Sequence, residues 1–223
     1  MLPLFQKIKI EGPKLVKEFS THLNKIQAKT IAQESTEVKV AKIIRVFHDP
    51  SELDVDDVNP SHILKASRGS GFCMDLSNAN ISNVHKKVHN WIRILKDKGL
   101  PVEFLIEEKL NDAIYGVTGT AVDYKFFCFH GEPAYFLCRD GTNRNFYDLT
   151  YRPLKLESSC ELPRIDLEPM IKIAKELSAP FPFVRIDLYN CKDGVYFGEY
   201  TFYCREGKQE FSMDLELEFG KLW

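Results

Sequence analysis

The segment Phe183–Tyr203, FVRIDLYNCKDGVYFGEYTFY, reads as one β-hairpin that sets two carboxylates, Asp187 and Glu199, face to face. Val184, Ile186 and Leu188 alternate with Arg185, Asp187 and Tyr189, the period-2 pattern of a half-buried strand. Asp193-Gly194 supplies the turn. A three-residue loop, Lys192–Gly194, pairs Cys191 with Val195, Asp187 with Glu199 and Arg185 with Thr201. Directly opposed residues hold their β-carbons ~5 Å apart, where like charges are destabilising by up to ~1 kcal/mol. A cation between the two acids removes that penalty, and oxygen ligands favour magnesium, which arrives with phosphates. A two- or four-residue loop would instead put the acids on opposite faces.

The 223 residues are 44% apolar and 28% charged, the composition of a globular protein with material for one large or two small cores. A formal net charge of −2 gives no electrostatic reason to expect nucleic acid or an anionic membrane as partner. No stretch approaches the ~20 apolar residues of a membrane span, and the N-terminus lacks the pattern of a secretory signal. The six cysteines, at 73, 128, 138, 160, 191 and 204, form no C-x-x-C pair, and several lie in predicted strands. Free thiols in a reducing cytoplasm are expected.

Outward from the hairpin, residues 12–34 read as a helix and Val38–Phe47 as a strand. A turn at His48–Ser51 and an acidic stretch, SELDVDDV, follow. Ser61–Ser67 and Phe72–Leu76 read as strands around the loop RGSG. An amphipathic helix carries Ile81, Val84, Val88, Trp91, Ile92 and Leu95 and stops at Gly99 and Pro101. Val102–Glu107 is a predicted strand and 108–120 an irregular stretch. Val122–Phe129 and Ala134–Arg139 form a hairpin. Residues 140–165 are loop-rich with a strand near Phe146. Asp166 caps a helix with Met170, Ile173, Ala174 and Leu177 inward, and a short helix closes the chain near Met213–Leu222. Helices segregated from antiparallel hairpins make the fold class α+β, with a soft boundary near Pro101–Asp112.

Four groupings could carry chemistry. Lys65-Ala66-Ser67-Arg68-Gly69-Ser70-Gly71 joins two strands and reads either as a phosphate cradle or as an ordinary glycine hairpin. It is neither a Walker A loop nor a dinucleotide fingerprint. Asp123 and Lys125 share one strand face, either as a surface ion pair or as part of a phosphate site. Arg139, Asn143, Arg144 and Asn145 gather where an Arg fork could take a substrate carboxylate. His85 and His89 stand at i, i+4 with no third metal ligand in view.

The order of these features resembles the ATP-grasp superfamily. ILKASRGSGF, FLIEEKL, VDYKFFCFHGEPAYF, RNFYDLTYRPL and FPFVRIDLYNCKDGVYFGEYTFY are similar to its TupA-like branch, which is associated with teichuronopeptide and other cell-surface polysaccharide biosynthesis. The resemblance covers roughly residues 37–223. It implies two α+β subdomains with an ATP cleft between antiparallel sheets: a reduced N-terminal region over 1–60, a small subdomain with the glycine loop over 61–108 and a large one with the metal site over 109–223. It implies that Lys65 contacts phosphate and that Arg68, Gly69, Ser70 and Gly71 form a flap over the phosphates. Glu107, Glu108, Lys109 and Leu110 would be the hinge that reads adenine, Asp123 the acid on the ribose side, and Lys125 a second phosphate contact. Arg185 would reach the transferred phosphoryl group, and Arg139 and Asn145 would face the substrate. Asp187, Glu199 and Thr201 would hold magnesium (manganese being the other candidate), with Thr201 standing where many members have Asn. TFYCREGKQEF replaces the usual glycine-rich turn after Thr201.

The implied activity is an ATP- and Mg-dependent carboxylate–amine ligase working through an acyl phosphate on a small-molecule, glycan or peptide substrate. Two other readings are a phosphotransferase acting on a sugar or lipid hydroxyl and a nucleotide-binding module without chemistry.

Overall fold

The computed structural model describes residues 1–116, 121–159 and 164–223. Cys160 and part of the irregular stretch at 108–120 lie outside the described residues. The chain begins with helix α1 (Leu4–Glu18), a 3-10 turn (Ser20–Leu23) and helix α2 (Lys25–Ser35). The single helix expected over 12–34 is therefore two. α1 starts eight residues earlier, because Leu4, Ile8 and Leu15 share its buried face. The break falls at Asn24, whose Oδ1 accepts from the N–H groups of Ile26 (2.9 Å) and Gln27 (3.2 Å) and so restarts the helix. Gly12 lets α1 press on the C-terminal segment, since a β-carbon there would stand 2.6 Å from Tyr203 Cδ2.

The expected strand over 38–47 is divided between two sheets. β1 (Lys39–Val40) runs parallel to the C-terminal hairpin, and the chain then crosses to β2 (Ile43–Phe47) in a smaller sheet. Two short acidic 3-10 turns follow, each closed by a reciprocal cap from Asp49 or Asp54. β3 (His62–Ala66), β4 (Cys73–Asp75) and β5 (Phe104–Glu108) complete an antiparallel sheet in the order β2-β5-β3-β4. Helix α3 (Ile81–Asp97) covers it, placing Val84, Val88, Trp91 and Leu95 against Phe47, Leu64 and Phe104. Full burial of side chains such as Val84, Val88 and Leu95 contributes ~1.5–3 kcal/mol each.

The second sheet has seven strands in the order β1-β11-β10-β6-β7-β8-β9. Its members are β6 (Asp123–Phe129), β7 (Glu132–Asp140), β8 (Asn143–Asp148), β9 (Pro153–Leu156), β10 (Phe183–Cys191) and β11 (Gly194–Thr201). β8 and β9 occupy the region expected to be mostly loop. Helix α4 (Glu168–Ser178) buries Met170, Ala174 and Leu177 in the core of this sheet. Asp166 accepts from Glu168 N–H at its start. The closing helix α5 (Met213–Gly220) packs beside α1, where the buried Glu216 accepts from Phe5 N–H at 3.0 Å.

The β10–β11 hairpin departs from expectation in a way that matters. Cys191 pairs with Gly194, so the loop has two residues, Lys192 and Asp193. A two-residue loop alone would put the acids on opposite faces. A bulge at Gly198 intervenes: Leu188 pairs with Phe197, the next pair is Asp187 with Glu199, and Arg185 faces Thr201. One extra residue thus restores the acid pair. A β-carbon at Gly198 would lie 2.8 Å from Tyr189 Cε2 and 3.0 Å from Asp187 O, so the bulge needs glycine.

Candidate active site

Period-2 alternation decides which side chains meet. On β10 it turns Arg185, Asp187 and Tyr189 to one face of the large sheet; cross-strand pairing adds Lys125 and Asp123 of β6 beside Asp187 and Tyr189, and Arg139 of β7 beside Asp123. The small sheet lies across from this face and offers Lys65 of β3, Glu107 of β5 and the glycine loop. Between them is a cleft of about 680 Å³. Ala41, Ile63, Leu110 and Phe197 make part of its wall apolar.

Asp187, 1% exposed, is the hub of the polar region. Its Oδ1 accepts from Arg185 Nε at 2.6 Å, and its Oδ2 from Arg185 Nη2 at 2.7 Å and Lys125 Nζ at 2.5 Å. Burial would raise its pKa, but Arg185 and Lys125 outweigh burial and hold it below the usual carboxylate range. Burial likewise opposes the charges of Lys125 and Arg185, and their carboxylate partners leave both pKa values raised. Arg185 Nη2 also reaches Glu199 Oε1 at 3.2 Å. The cation that relieves the acid pair is therefore a guanidinium of the chain itself.

A second cluster lies on the small-sheet side. Glu107, 3% exposed, takes Lys65 on Oε1 and stands 2.9 Å from Lys29 Nζ on Oε2. Burial pushes Glu107 up, and the two ammonium groups bring it below its ordinary value. Lys29 comes from α2, as does Lys25, whose Nζ donates to Gly69 O (3.2 Å) and stands 3.8 Å from Glu199 Oε2. Sequence reasoning missed both lysines. The available signal was a lysine flanked by Ala28 and Ala32, all three buried in α2.

Not every expected site residue enters the cleft. Lys65, Gly69, Ser70, Gly71, Glu107, Glu108, Leu110, Asp123, Lys125, Arg139, Asp187 and Glu199 line it. Arg68 instead donates to Ser20 O at 2.7 Å, which ties the glycine loop to the turn before α2. Lys109 is bound to Asp75 (2.6 Å) and to Ser77. Two N–H groups of the expected hinge are engaged within the chain, Glu108 with Lys42 O (3.0 Å) and Lys109 with Ser61 O (2.8 Å). Asn145 is buried under the β8–β9 end, where its Oδ1 accepts from Glu157 and Ser158 N–H, both at 2.9 Å; the expectation of a substrate contact is replaced by a structural one. Thr201 faces Arg185 across the hairpin, and neither is among the residues lining the cleft; Arg185 meets the site through its contacts with Asp187 and Glu199. His89 Nδ1 lies 2.8 Å from His85 O on the exposed side of α3.

The acids suit magnesium in one particular way. No group of three or more His, Cys, Asp or Glu side chains among the described residues could enclose a metal. Magnesium needs fewer protein ligands, since it binds through one or two carboxylates plus phosphate oxygens and water. Glu199, its side chain 39% exposed and its two cations at 3.2 and 3.8 Å, is open to such a role. Asp187 could join it only where Arg185 and Lys125 release an oxygen, since both of its oxygens are engaged. Asp123 adds a buried Oδ1 with no hydrogen-bond partner among the described residues.

A family model described as TupA-like ATPgrasp matches residues 7–222. Among solved structures, D-alanine–D-alanine ligase from Bacillus anthracis is similar over 90% of this chain and 63% of that one, with a TM-score of 0.55 and 12% identity. D-alanyl-alanine synthetase A from Vibrio cholerae is similar over 89% and 60%, with a TM-score of 0.55 and 13% identity. The Bacillus anthracis enzyme complexed with ATP is similar over 90% and 60%, with a TM-score of 0.52 and 13% identity. At such identities the likeness is one of fold. The chain spans about 60% of the length of these ligases. No curated protein sequence matches it.

Proposed function

The chain belongs to the TupA-like ATP-grasp family, and from that premise we propose that it is an ATP- and magnesium-dependent ligase joining a carboxylate to an amine. One observation carries the reading: Lys25, Lys65 and Lys125, from α2, β3 and β6, converge with the Asp187–Glu199 pair in one cleft between two antiparallel sheets. That concentration of ammonium groups suits a triphosphate.

In the proposed reaction a substrate carboxylate oxygen attacks the γ-phosphorus, the bond to ADP breaks, and an acyl phosphate forms. An amine nitrogen then attacks the acyl carbon; phosphate leaves, the nitrogen loses a proton, and an amide remains. Lys25, Lys65 and Lys125 offset charge along the phosphates. Arg185, held by Asp187 and in contact with Glu199, would reach the transferred group. Such preset charges act without reorganisation when charge moves. Arg139, exposed and in no ion pair among the described residues, offers its fork to the substrate carboxylate. Asp187 and Glu199 would hold magnesium, whose contribution is charge screening on the phosphate oxygens. The base would lie toward the apolar wall by Leu110, read by hinge backbone beyond the engaged Glu108 and Lys109 N–H groups.

The family likeness further suggests a place in cell-surface polysaccharide or peptide-polymer synthesis. The five described cysteines are free, which suits a reducing cytoplasm, and no helix among the described residues is long and apolar enough to cross a membrane.

The test is a panel of acids and amines with ATP, magnesium and hydroxylamine. ADP released together with a hydroxamate supports the ligase; a stable phosphorylated product or no ADP overturns it. Binding is read separately at Cys73, which is exposed and lines the cleft. ATP with magnesium should slow its maleimide labelling, followed by peptide mass spectrometry.

A further inference from the structure

Lys29 is 5% exposed, yet it is a charged side chain flanked by two buried alanines. A buried ion pair is commonly matched or exceeded in stability by apolar side chains of similar volume. An ammonium here serves the fold only as counter-charge to a carboxylate that is itself buried, and its contacts suggest a further use. Its Nζ lies 2.9 Å from Glu107 Oε2 and donates to Ala41 O at 3.2 Å. The other oxygen of Glu107 holds Lys65. Glu107 and Lys65 belong to the small sheet, while α2 packs against β11 and β1 of the large one. One buried carboxylate is thus shared by two ammonium groups from opposite sides of the cleft.

The sharing has an electrostatic result. A Glu107–Lys65 pair alone would be neutral and would hold the Lys65 ammonium closely. A second ammonium on the same carboxylate weakens that hold and leaves the cluster with one net positive charge. Lys65, the most exposed of the three side chains, opens into the cleft.

We infer that Lys29 is a positioning residue: acting through Glu107, it sets how firmly the Lys65 ammonium is held and so how well Lys65 meets phosphate. The inference rests on the reading that the cleft takes a nucleotide. It makes the N-terminal helical segment a working part of that site.

The test is a double-mutant cycle on the full chain, reading the Kd of a non-hydrolysable ATP analogue by calorimetry, with melting temperatures alongside. Lys29→Gln keeps a hydrogen-bond donor for Glu107 and Ala41. It should raise Kd about tenfold, the worth of one charge-assisted hydrogen bond. In a Glu107→Gln background the same change should raise it by about threefold or less, since the route through Glu107 is already cut. Equal effects in both backgrounds, or a lower melting temperature with unchanged Kd, would overturn the inference. If Lys29→Gln does not fold, Lys29→Met and Lys29→Arg replace it under the same criterion; an effect with Met that Arg restores supports the role, and none with either overturns it. Failure of the unmodified chain to bind the analogue would bring down the nucleotide reading itself, and this inference with it.

Discussion

Asp187 and Glu199 face each other across one hairpin, yet they differ in what their removal does. Asp187 is a buried anion between a buried cation, Lys125, and a half-buried one, Arg185. Asp187→Asn leaves Arg185 and Lys125 short of a counter-charge, and breaking a buried pair of this kind costs ~3–5 kcal/mol. A urea titration should show that loss, so inactivity of this variant mixes damage to the fold with damage to the site. Glu199 is the cleaner probe. Its contacts are long and partly in water, and Glu199→Gln should cost under ~1 kcal/mol while abolishing magnesium-dependent ADP release. Undiminished ADP release by a folded Glu199→Gln variant would remove the metal role.

The hairpin shows what an element adds to its residues. The alternation of Arg185, Asp187 and Tyr189 was legible, but the pairing of Asp187 with Glu199 followed from a three-residue loop and holds because a shorter loop and a bulge offset each other. The loop length was not legible, because the bulge that compensates for a shorter loop leaves only one mark in the sequence, a glycine inside a strand. Gly198→Ala should force Tyr189 or the Asp187 carbonyl to shift, costing ~1–3 kcal/mol in chemical denaturation and weakening nucleotide binding. Full stability with unchanged binding would show that the bulge does not align the acids. The lysines of α2 were illegible for a different reason. Their partners, Glu107 and Glu199, lie far along the chain, and local periodicity carries no information about contacts at that range. Likewise Val38–Phe47 has one uninterrupted strand pattern, and only tertiary pairing divides it between two sheets.

At the scale of the molecule, the two sheets are joined by more than the expected hinge. Opposite it, Lys25 N–H donates to Ser67 O (2.8 Å) and Asn24 Nδ2 to Glu103 Oε2 (2.8 Å), while Lys29 meets Glu107 within the cleft. Two buried carboxylates, Asp187 and Glu107, each hold two cations at this junction, which ties stability to acid. Asp187 and Glu107 both have pKa values lowered on folding. Their contribution is complete above the unfolded carboxylate values of about 4 and is lost as pH falls through the lower folded values, where the unfolded chain binds more protons. Melting temperature should therefore drop steeply below about pH 4, and Glu107→Gln should flatten that drop. The crossing itself is double: residues 40–43 and 108–112 pass side by side between the sheets, linked by Glu108 N–H to Lys42 O. Two pins resist swivel where one would permit it. To twist one sheet against the other would break the bond between the two crossings, a cost that a lone connection would not impose.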